Sequence, residues 1–450
     1  MSQINVAKLD TRVVASLAGL YASRMLGLFM VLPVLALYID DYRGASPLWL
    51  GLIIGAYGLT QAALQIPLGL LSDRIGRRPV IVGGLLLFLL GSVVAALADS
   101  VWGLLCGRLL QGSGAIASTT MALVSDLTSD ENRAKAMAAI GGSIGLSFML
   151  AMVVGPLLAA NGGMAMIFWV TALLAALGLV LFLTAVPVPL RSTANREVRP
   201  DLSQLKSVLV DANLARLNVG IFTLHLLLMA AFVVIPALLV DQLGIAANHL
   251  WWVYIALLGG GFVVMVPLLI IGEKLAKHRT VMLLAIAALG LALLGLNQTA
   301  LLWPVLLLLL LFFAGFNLLE AMLPSWLSKA CPAGYRGTAM GVYSSCQFLG
   351  AFCGGLLGGW SLQHYGSQAL FMLLAGLALL WWLLALGLAQ PKLRKTLVLQ
   401  RDERSPQQFA SWLSGLAGVD EVLQLEGDRL VYIKVDQSQL DRSKIEHLLG

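Results

Sequence analysis

The chain has 450 residues, 59% of them hydrophobic and only 12% charged, with a formal net charge of +6. That much apolar surface exceeds what a soluble core buries, which excludes an ordinary soluble enzyme or binding domain and places most of the chain in a lipid bilayer. The positive charge is explained by membrane topology and needs no nucleic acid as a partner.

An apolar helix needs about 20 residues to cross a ~30 Å hydrocarbon layer. Only helices and closed barrels satisfy every backbone group there. Runs of that length predict an all-α membrane protein with twelve transmembrane helices, at approximately 12–38, 47–71, 79–98, 101–125, 133–160, 163–187, 214–240, 250–272, 280–297, 300–328, 336–361 and 366–388. The first span is too long for a cleavable signal peptide and lacks a small-residue cleavage site. It carries Arg24 near mid-depth, where an arginine can bind an anionic group.

Spans 2 and 3 are joined by the short charged turn Gly69-Leu-Leu-Ser-Asp73-Arg74-Ile-Gly76-Arg77-Arg78. Its glycines permit a tight turn and close helix approach. Asp73 is placed to meet a helix N-terminus, whose exposed N–H groups favour an anion. Arg77 is expected to pair with Asp126 at the end of span 4. Span 4 itself carries Arg108-Leu-Leu-Gln-Gly112-Ser-Gly114-Ala. An arginine at the centre of a span costs about 2.5–3.5 kcal/mol on insertion scales, so it is read as functional, with a snorkelling residue near the helix end as the alternative. Span 5 contains Gly155-Pro156, flanked by the small residues Ala151, Ala159 and Ala160 that favour close packing.

The segment 188–213 is a charged linker. Leu202, Leu205, Val208 and Leu209 share a helical face, which fits either an amphipathic helix on the membrane surface or a solvated linker. Beyond it the first six spans repeat. Pro67 and Asp73 to Arg78 align with Pro267 and Glu273 to His278. Arg133-Ala-Lys-Ala-Met137 aligns with Arg336-Gly-Thr-Ala-Met340, and Leu32-Pro33 with Ile235-Pro236. Residues 1–187 and 214–389 are therefore two six-helix halves, with a site expected between them at mid-depth. Arg133 and Arg336 are grouped with the 69–78 turn as a conformational gate, whose second copy is eroded at Ala276 and His278.

Four charged or titratable side chains lie well inside spans: Arg24, Arg108, His225 and Glu320, in spans 1, 4, 7 and 10. Glu320 is the sole carboxylate among them. A carboxylate whose hydration changes as a cavity opens and closes can exchange protons, so it is read as the principal proton site, with His225 second. A permanent ion pair of Glu320 with Arg24 or Arg108 is the alternative. Gln61, Gln65, Asn317 and Gln347 are read as further cavity contacts or as interhelical glue. The cysteines Cys106, Cys331, Cys346 and Cys353 lack ligand spacing, and neither metal nor cofactor is expected.

Residues 390–450 are polar. Strands at Thr396–Gln400, Val419–Leu425 and Arg429–Val435 and helices at Pro406–Leu416 and Arg442–Leu449 form a βαββα order, an α+β (ferredoxin-like) domain lacking its last strand. An open sheet edge on so small a core predicts docking on the membrane part or self-association.

The 69–78 turn resembles the signature loop of the major facilitator superfamily, and Arg108 with Gln-Gly-Ser-Gly-Ala resembles that family's span 4 motif. Gly155-Pro156 matches its antiporter motif, with alanines where glycines are usual. Together with the tail, Arg24-Met-Leu-Gly, Phe316-Asn-Leu and Pro332 to Ser344 resemble the YajR-type bacterial transporters, of the drug–proton antiporter kind. The resemblance implies that spans 1, 4, 7 and 10 line the cavity. It also implies that Asp73 meets the start of span 11 near Gly334 to Gly337, holding the cytoplasmic ends together and favouring an outward-open state.

Lys and Arg concentrate on one side of the spans, the opposite loops holding only Arg43. Both termini are therefore expected in the cytoplasm, and the resemblance implies a bacterial inner membrane. The resulting expectation is a proton-coupled exporter of an unknown small molecule, working by alternating access. The alternatives are a proton symporter taking up a small anionic metabolite, and a membrane receptor read through residues 390–450.

Overall fold

The helices of the first half start and stop at sequence punctuation. In the computed structural model, residues 3–128, 130–187, 202–275, 277–299, 301–331, 335–389, 394–400, 405–424 and 430–436 are described. α1 (Gln3–Phe29) gives way to a non-helical stretch over Met30–Val34 before α2 (Leu35–Tyr38). The expected continuous span 12–38 is thus broken, since Pro33 removes a backbone donor and clashes with the preceding turn. α3 (Pro47–Ile75) begins where the Ser46 side chain accepts a hydrogen bond from the Trp49 amide, and Pro47 sits at its first position. It ends on Gly76 at φ +97°, a conformation that favours glycine and that lets α4 (Arg77–Ala96) follow at once. The expected span 101–125 is also divided, into α5 (Val101–Ser113) and α6 (Ala117–Leu127), at Gly114–Ile116.

α7 (Asp130–Ala185) holds two arms separated by non-helical Gly162 and Gly163. Ser147 donates to Ala22 O while Gly178 faces Leu20; Gly155 lies on Met30 while Thr171 packs on Gly27. The two arms therefore run antiparallel, both along α1.

The second half repeats these features. α8 (Leu202–Val210) buries Val208 and leaves Leu209 half exposed. The helix stops before Asp211, whose carboxylate caps α9 (Ala212–Phe232) by accepting from the amides of Asn213 and Leu214. The expected span 214–240 breaks at Val233–Val234, ahead of Pro236 in α10 (Ile235–Ala237), and continues as a π-helical turn over Leu238–Gln242. α11 (Leu250–Lys274), α12 (His278–Leu296) and α13 (Leu302–Ala330) follow. α14 (Arg336–Ala385) turns at Gly366, φ +80°. Its first arm lies against α9, with Gly350 and Gly354 on the carbonyls of Phe222 and Leu226. Its second arm brings Trp381 onto Gly220 and Ala378 onto Gly290 of α12. Among the described residues, eight helices are long and apolar enough to cross a bilayer.

The core divides unevenly. At the end of the molecule opposite the 69–78 turn, residues of both halves share one core: Met30, Leu35, Ile39 and Ile53 belong to the same buried cluster as Val233, Leu239 and Tyr254. Near the 69–78 turn the first half has a separate core of Val13, Leu17, Ile81, Val124, Ile140 and Phe182.

The tail folds on local rules. Ser405 and Gln408 form a capping box at the start of α15 (Pro406–Ser414). β1 (Arg394–Gln400), β2 (Val419–Gln424) and β3 (Leu430–Asp436) form a sheet in the order β1-β3-β2, with β3 antiparallel to both neighbours. Alternate residues Val431, Ile433 and Val435 meet Phe409 and Leu413, one helical turn apart on α15. The expected helix over Arg442–Leu449 lies outside the described residues.

Candidate functional site

Breaks in α1–α2, α5–α6 and α9–α10 lie one to three turns beyond Arg24, Arg108 and His225 respectively. Glu320 sits on α13 four residues before Pro324. The four groups divide into two clusters, one in each half.

In the second half, Glu320, His225 and Gln347 converge from α13, α9 and α14. Gln347 Nε2 is 2.9 Å from His225 Nε2 and donates to Glu320 Oε1 at 3.2 Å. His225 Nε2 lies 3.8 Å from Glu320 Oε2, and His225 Nδ1 lies 3.3 Å from the Ile221 carbonyl. His225 is buried, whereas the Glu320 side chain is 37% accessible and so reachable by a proton. Phe316, one turn earlier on α13, sets its ring against both His225 and Phe148 of α7. Asn317 lies against Gly261 of α11. The alternative ion pair is absent from this conformation: Glu320 pairs with His225, and neither Arg24 nor Arg108 is an ion-pair partner.

In the first half, Arg24 is 2% and Arg108 1% exposed. Arg24 Nη2 donates to Tyr57 Oη at 2.9 Å and to Gln61 Oε1 at 2.8 Å, and Gln61 Nε2 donates to Gln65 Oε1 at 3.1 Å. Arg108 Nη1 donates to Gln111 Oε1 at 2.9 Å, and Gln111 in turn donates to Ser92. Both guanidinium groups lie over the Tyr57 ring, at 6.0 and 5.4 Å from its centroid. A desolvated cation held by neutral acceptors and π faces keeps its charge uncompensated.

Tyr57 was not singled out from the sequence, and Gln111 entered only as part of the span 4 motif, without a site role. Gln111 had a signal, its i+3 spacing from Arg108. Tyr57 had none, since a tyrosine in an apolar span is ordinary packing.

The 69–78 turn is organised around Arg77. It is buried, forms ion pairs with Asp73 and with Asp126 (3.3 Å), and donates to Ser72 Oγ at 2.6 Å. Ser72 donates to Gly69 O, closing the last turn of α3. Arg78 donates to Leu183 O, and Arg74 is exposed. All of these partners lie in the first half. Of the seat expected for Asp73 at Gly334 to Gly337, Gly334 lies outside the described residues, as do the side chains of Arg133 and Arg336.

The halves meet where α3 crosses the first arm of α14. A Cβ at Gly51, Gly55 or Gly58 would strike the backbone of Gly355, Phe352 or Phe348. The contact extends from Pro47, against Gly359, to Ala62, whose carbonyl accepts from Ser345 Oγ. Gly112 is pressed onto Tyr57 and Thr60 of α3, Gly114 onto Gly84, and Gly155 next to Pro156 onto Met30. These three packings hold the broken helices against their neighbours.

The comparisons with known proteins agree with this architecture. The family model "Major Facilitator Superfamily" matches residues 17–352 and 217–425. The inner membrane transport protein YajR of Escherichia coli is 43% identical over 98% of this chain and 97% of its own length. The multidrug resistance protein MdtH of Aeromonas salmonicida is 29% identical over 76% of this chain and 85% of its own. The crystal structure of the human organic anion transporter MFSD10 superposes with a TM-score of 0.61 at 24% identity, covering 84% of this chain and 99% of that one. A near-full-length match of this identity, on this arrangement of helices, leads to one conclusion: the chain belongs to the major facilitator superfamily and is a membrane transporter, not an enzyme.

Proposed function

We propose that this transporter exports small molecules across the bacterial inner membrane in exchange for protons. The observation that carries the reading is the Glu320–His225–Gln347 cluster, a carboxylate and an imidazole within 4 Å at mid-helix. Neither group is needed to close a helix, and a carboxylate and an imidazole are both proton-carrying groups inside the membrane. The multidrug resistance protein among the relatives supports the export direction.

In this reading the antiparallel arms of α7 and α14 are spans 5 and 6 and spans 11 and 12 of a twelve-span plan. Residues 1–187 and 214–389 are its halves, 188–213 links them, and 390–450 is a ferredoxin-like domain. The positive-inside rule puts both termini in the cytoplasm. The shared core then lies at the outer face, and the conformation is inward-facing. The Arg77 cluster ties α3, α4 and α6 together at the cytoplasmic end of the first half. Inward protons reaching Glu320 would drive the substrate outward.

A second reading, uptake of a small organic anion with a proton, is favoured by one observation: Arg24 and Arg108 are buried without a carboxylate. The two are separated with purified protein in vesicles containing a pH-sensitive dye, using ethidium as the cation probe and benzoate as the anion probe. Proton efflux from an acidic lumen on adding ethidium supports exchange. Proton movement in the same direction as benzoate replaces it with symport. An unchanged proton flux in Glu320→Gln ends the proton-site assignment.

A further inference from the structure

The hydrogen-bond roles in the second-half cluster are over-determined. His225 Nδ1 faces the Ile221 carbonyl, which only accepts, so a ring proton is assigned to Nδ1, and the Gln347 amide nitrogen facing Nε2 assigns the lone pair there. Gln347 Nε2 lies 2.9 Å from that lone pair and 3.2 Å from Glu320 Oε1. One –NH2 group therefore serves both partners, which fits a neutral histidine beside an ionised glutamate. A proton added to His225 Nε2 turns that acceptor into a donor and sets two N–H groups against each other. The relief is a rotation of the Gln347 amide that presents Oε1 to His225, and Glu320 then loses its donor. A proton added to Glu320 Oε1 likewise makes the carboxyl a donor facing the –NH2.

Gln347 is also where the cluster touches the seam between halves. The next residue, Phe348, places its ring 6.1 Å from Tyr57, which carries Arg24 and Arg108 on its face. Its carbonyl lies against Gly58 of α3. We infer that Gln347 is a positioning residue that converts the proton count of the Glu320–His225 pair into a change at the α3–α14 seam. This rests on the reading of Glu320 as the proton site. Among the described residues, the further titratable group that interacts electrostatically with Glu320 is Tyr343, one helical turn before Gln347 on α14. From α7 the neighbour is the untitratable Phe148.

The test uses the full chain in lipid vesicles. Infrared spectra across roughly pH 4 to 10 follow the carboxyl band that disappears in Glu320→Gln. Gln347→Leu, which neither donates nor accepts, is expected to displace its midpoint by about one pH unit, the size of a lost hydrogen bond to a charged group. Gln347→Asn, too short to bridge both partners, covers the case in which the leucine variant does not fold. Seam closure is read in a background lacking native cysteines, by cross-linking Leu48→Cys to Gln363→Cys, where the Leu48 amide now donates to Gln363 Oε1 at 3.1 Å. The yield is expected to vary with pH, and to lose that variation in Gln347→Leu. Coincident midpoints, or a cross-linking yield whose pH dependence survives Gln347→Leu, overturn the inference and leave the proton site standing. A Glu320 band that never titrates overturns both.

Discussion

At the scale of single residues, burial and partner chemistry separate the two halves. The first half holds two desolvated cations on neutral acceptors and the second an acid–base pair. Removing one member of a buried charge network is costly because the remaining charges stay buried, about 3–5 kcal/mol in comparable cases. Arg77→Ala leaves Asp73 and Asp126 without their shared cation. It is expected to lower the unfolding midpoint in detergent by several degrees, whereas Arg74→Ala, at an exposed position, leaves it unchanged; thermal unfolding of the purified variants decides. Tyr57→Phe keeps the ring under both guanidinium groups and removes the hydroxyl that accepts from Arg24. The loss of one such bond is worth about 1.5–3 kcal/mol. Transport by Tyr57→Phe should fall less than by Tyr57→Ala, measured as initial rates at equal protein in vesicles.

At the scale of elements, the α3–α14 crossing is built from glycines that allow backbone to meet backbone. Gly51→Val places a branched side chain where Gly355 O and Gly359 already sit. The variant is expected to disfavour the joined end, so that cysteines at 48 and 363 cross-link at a much lower yield than in the parent. Gly83→Ala, with open space at its Cβ, is the matched control and should not differ from the parent. The tail is a separate element with a core of its own residues, Leu399, Phe409, Leu413, Val431, Ile433 and Val435. Phe409→Ala should cost about 3–5 kcal/mol of that small core. Proteolysis is then expected to remove residues beyond 390 while leaving the helices intact, as read by gel after brief protease treatment.

At the scale of the whole molecule, the uneven core is the mechanical fact. Both halves contribute buried residues to one cluster at one end, whereas the buried residues of the cluster at the other all belong to the first half, with Phe348 of α14 packed against their edge. Alternating access needs such asymmetry, since the two ends cannot be sealed at once. The Arg77 cluster belongs to that other end, where the ion pairs of Arg77 with Asp73 and Asp126 tie α3, α4 and α6 of the first half together.

Much of this was legible in the chain itself. Twenty-residue apolar runs, the 69–78 turn and the doubled Pro-containing segments specify membrane helices and a repeat because lipid leaves the backbone no other solution. The Arg77–Asp126 pair was legible because a charge in so tight a turn has few partners within reach. Tertiary structure decided the rest. It broke three helices at Pro33, Gly114–Ile116 and Val233–Val234, where glycine packing and missing backbone donors outweigh an uninterrupted apolar run. It drew Glu320 to His225 and Gln347 instead of to an arginine, because α9, α13 and α14 pack together within one half. Side chains 95 and 122 residues away in the chain become neighbours only once those helices are in contact. Periodicity within a single span carries no record of that meeting.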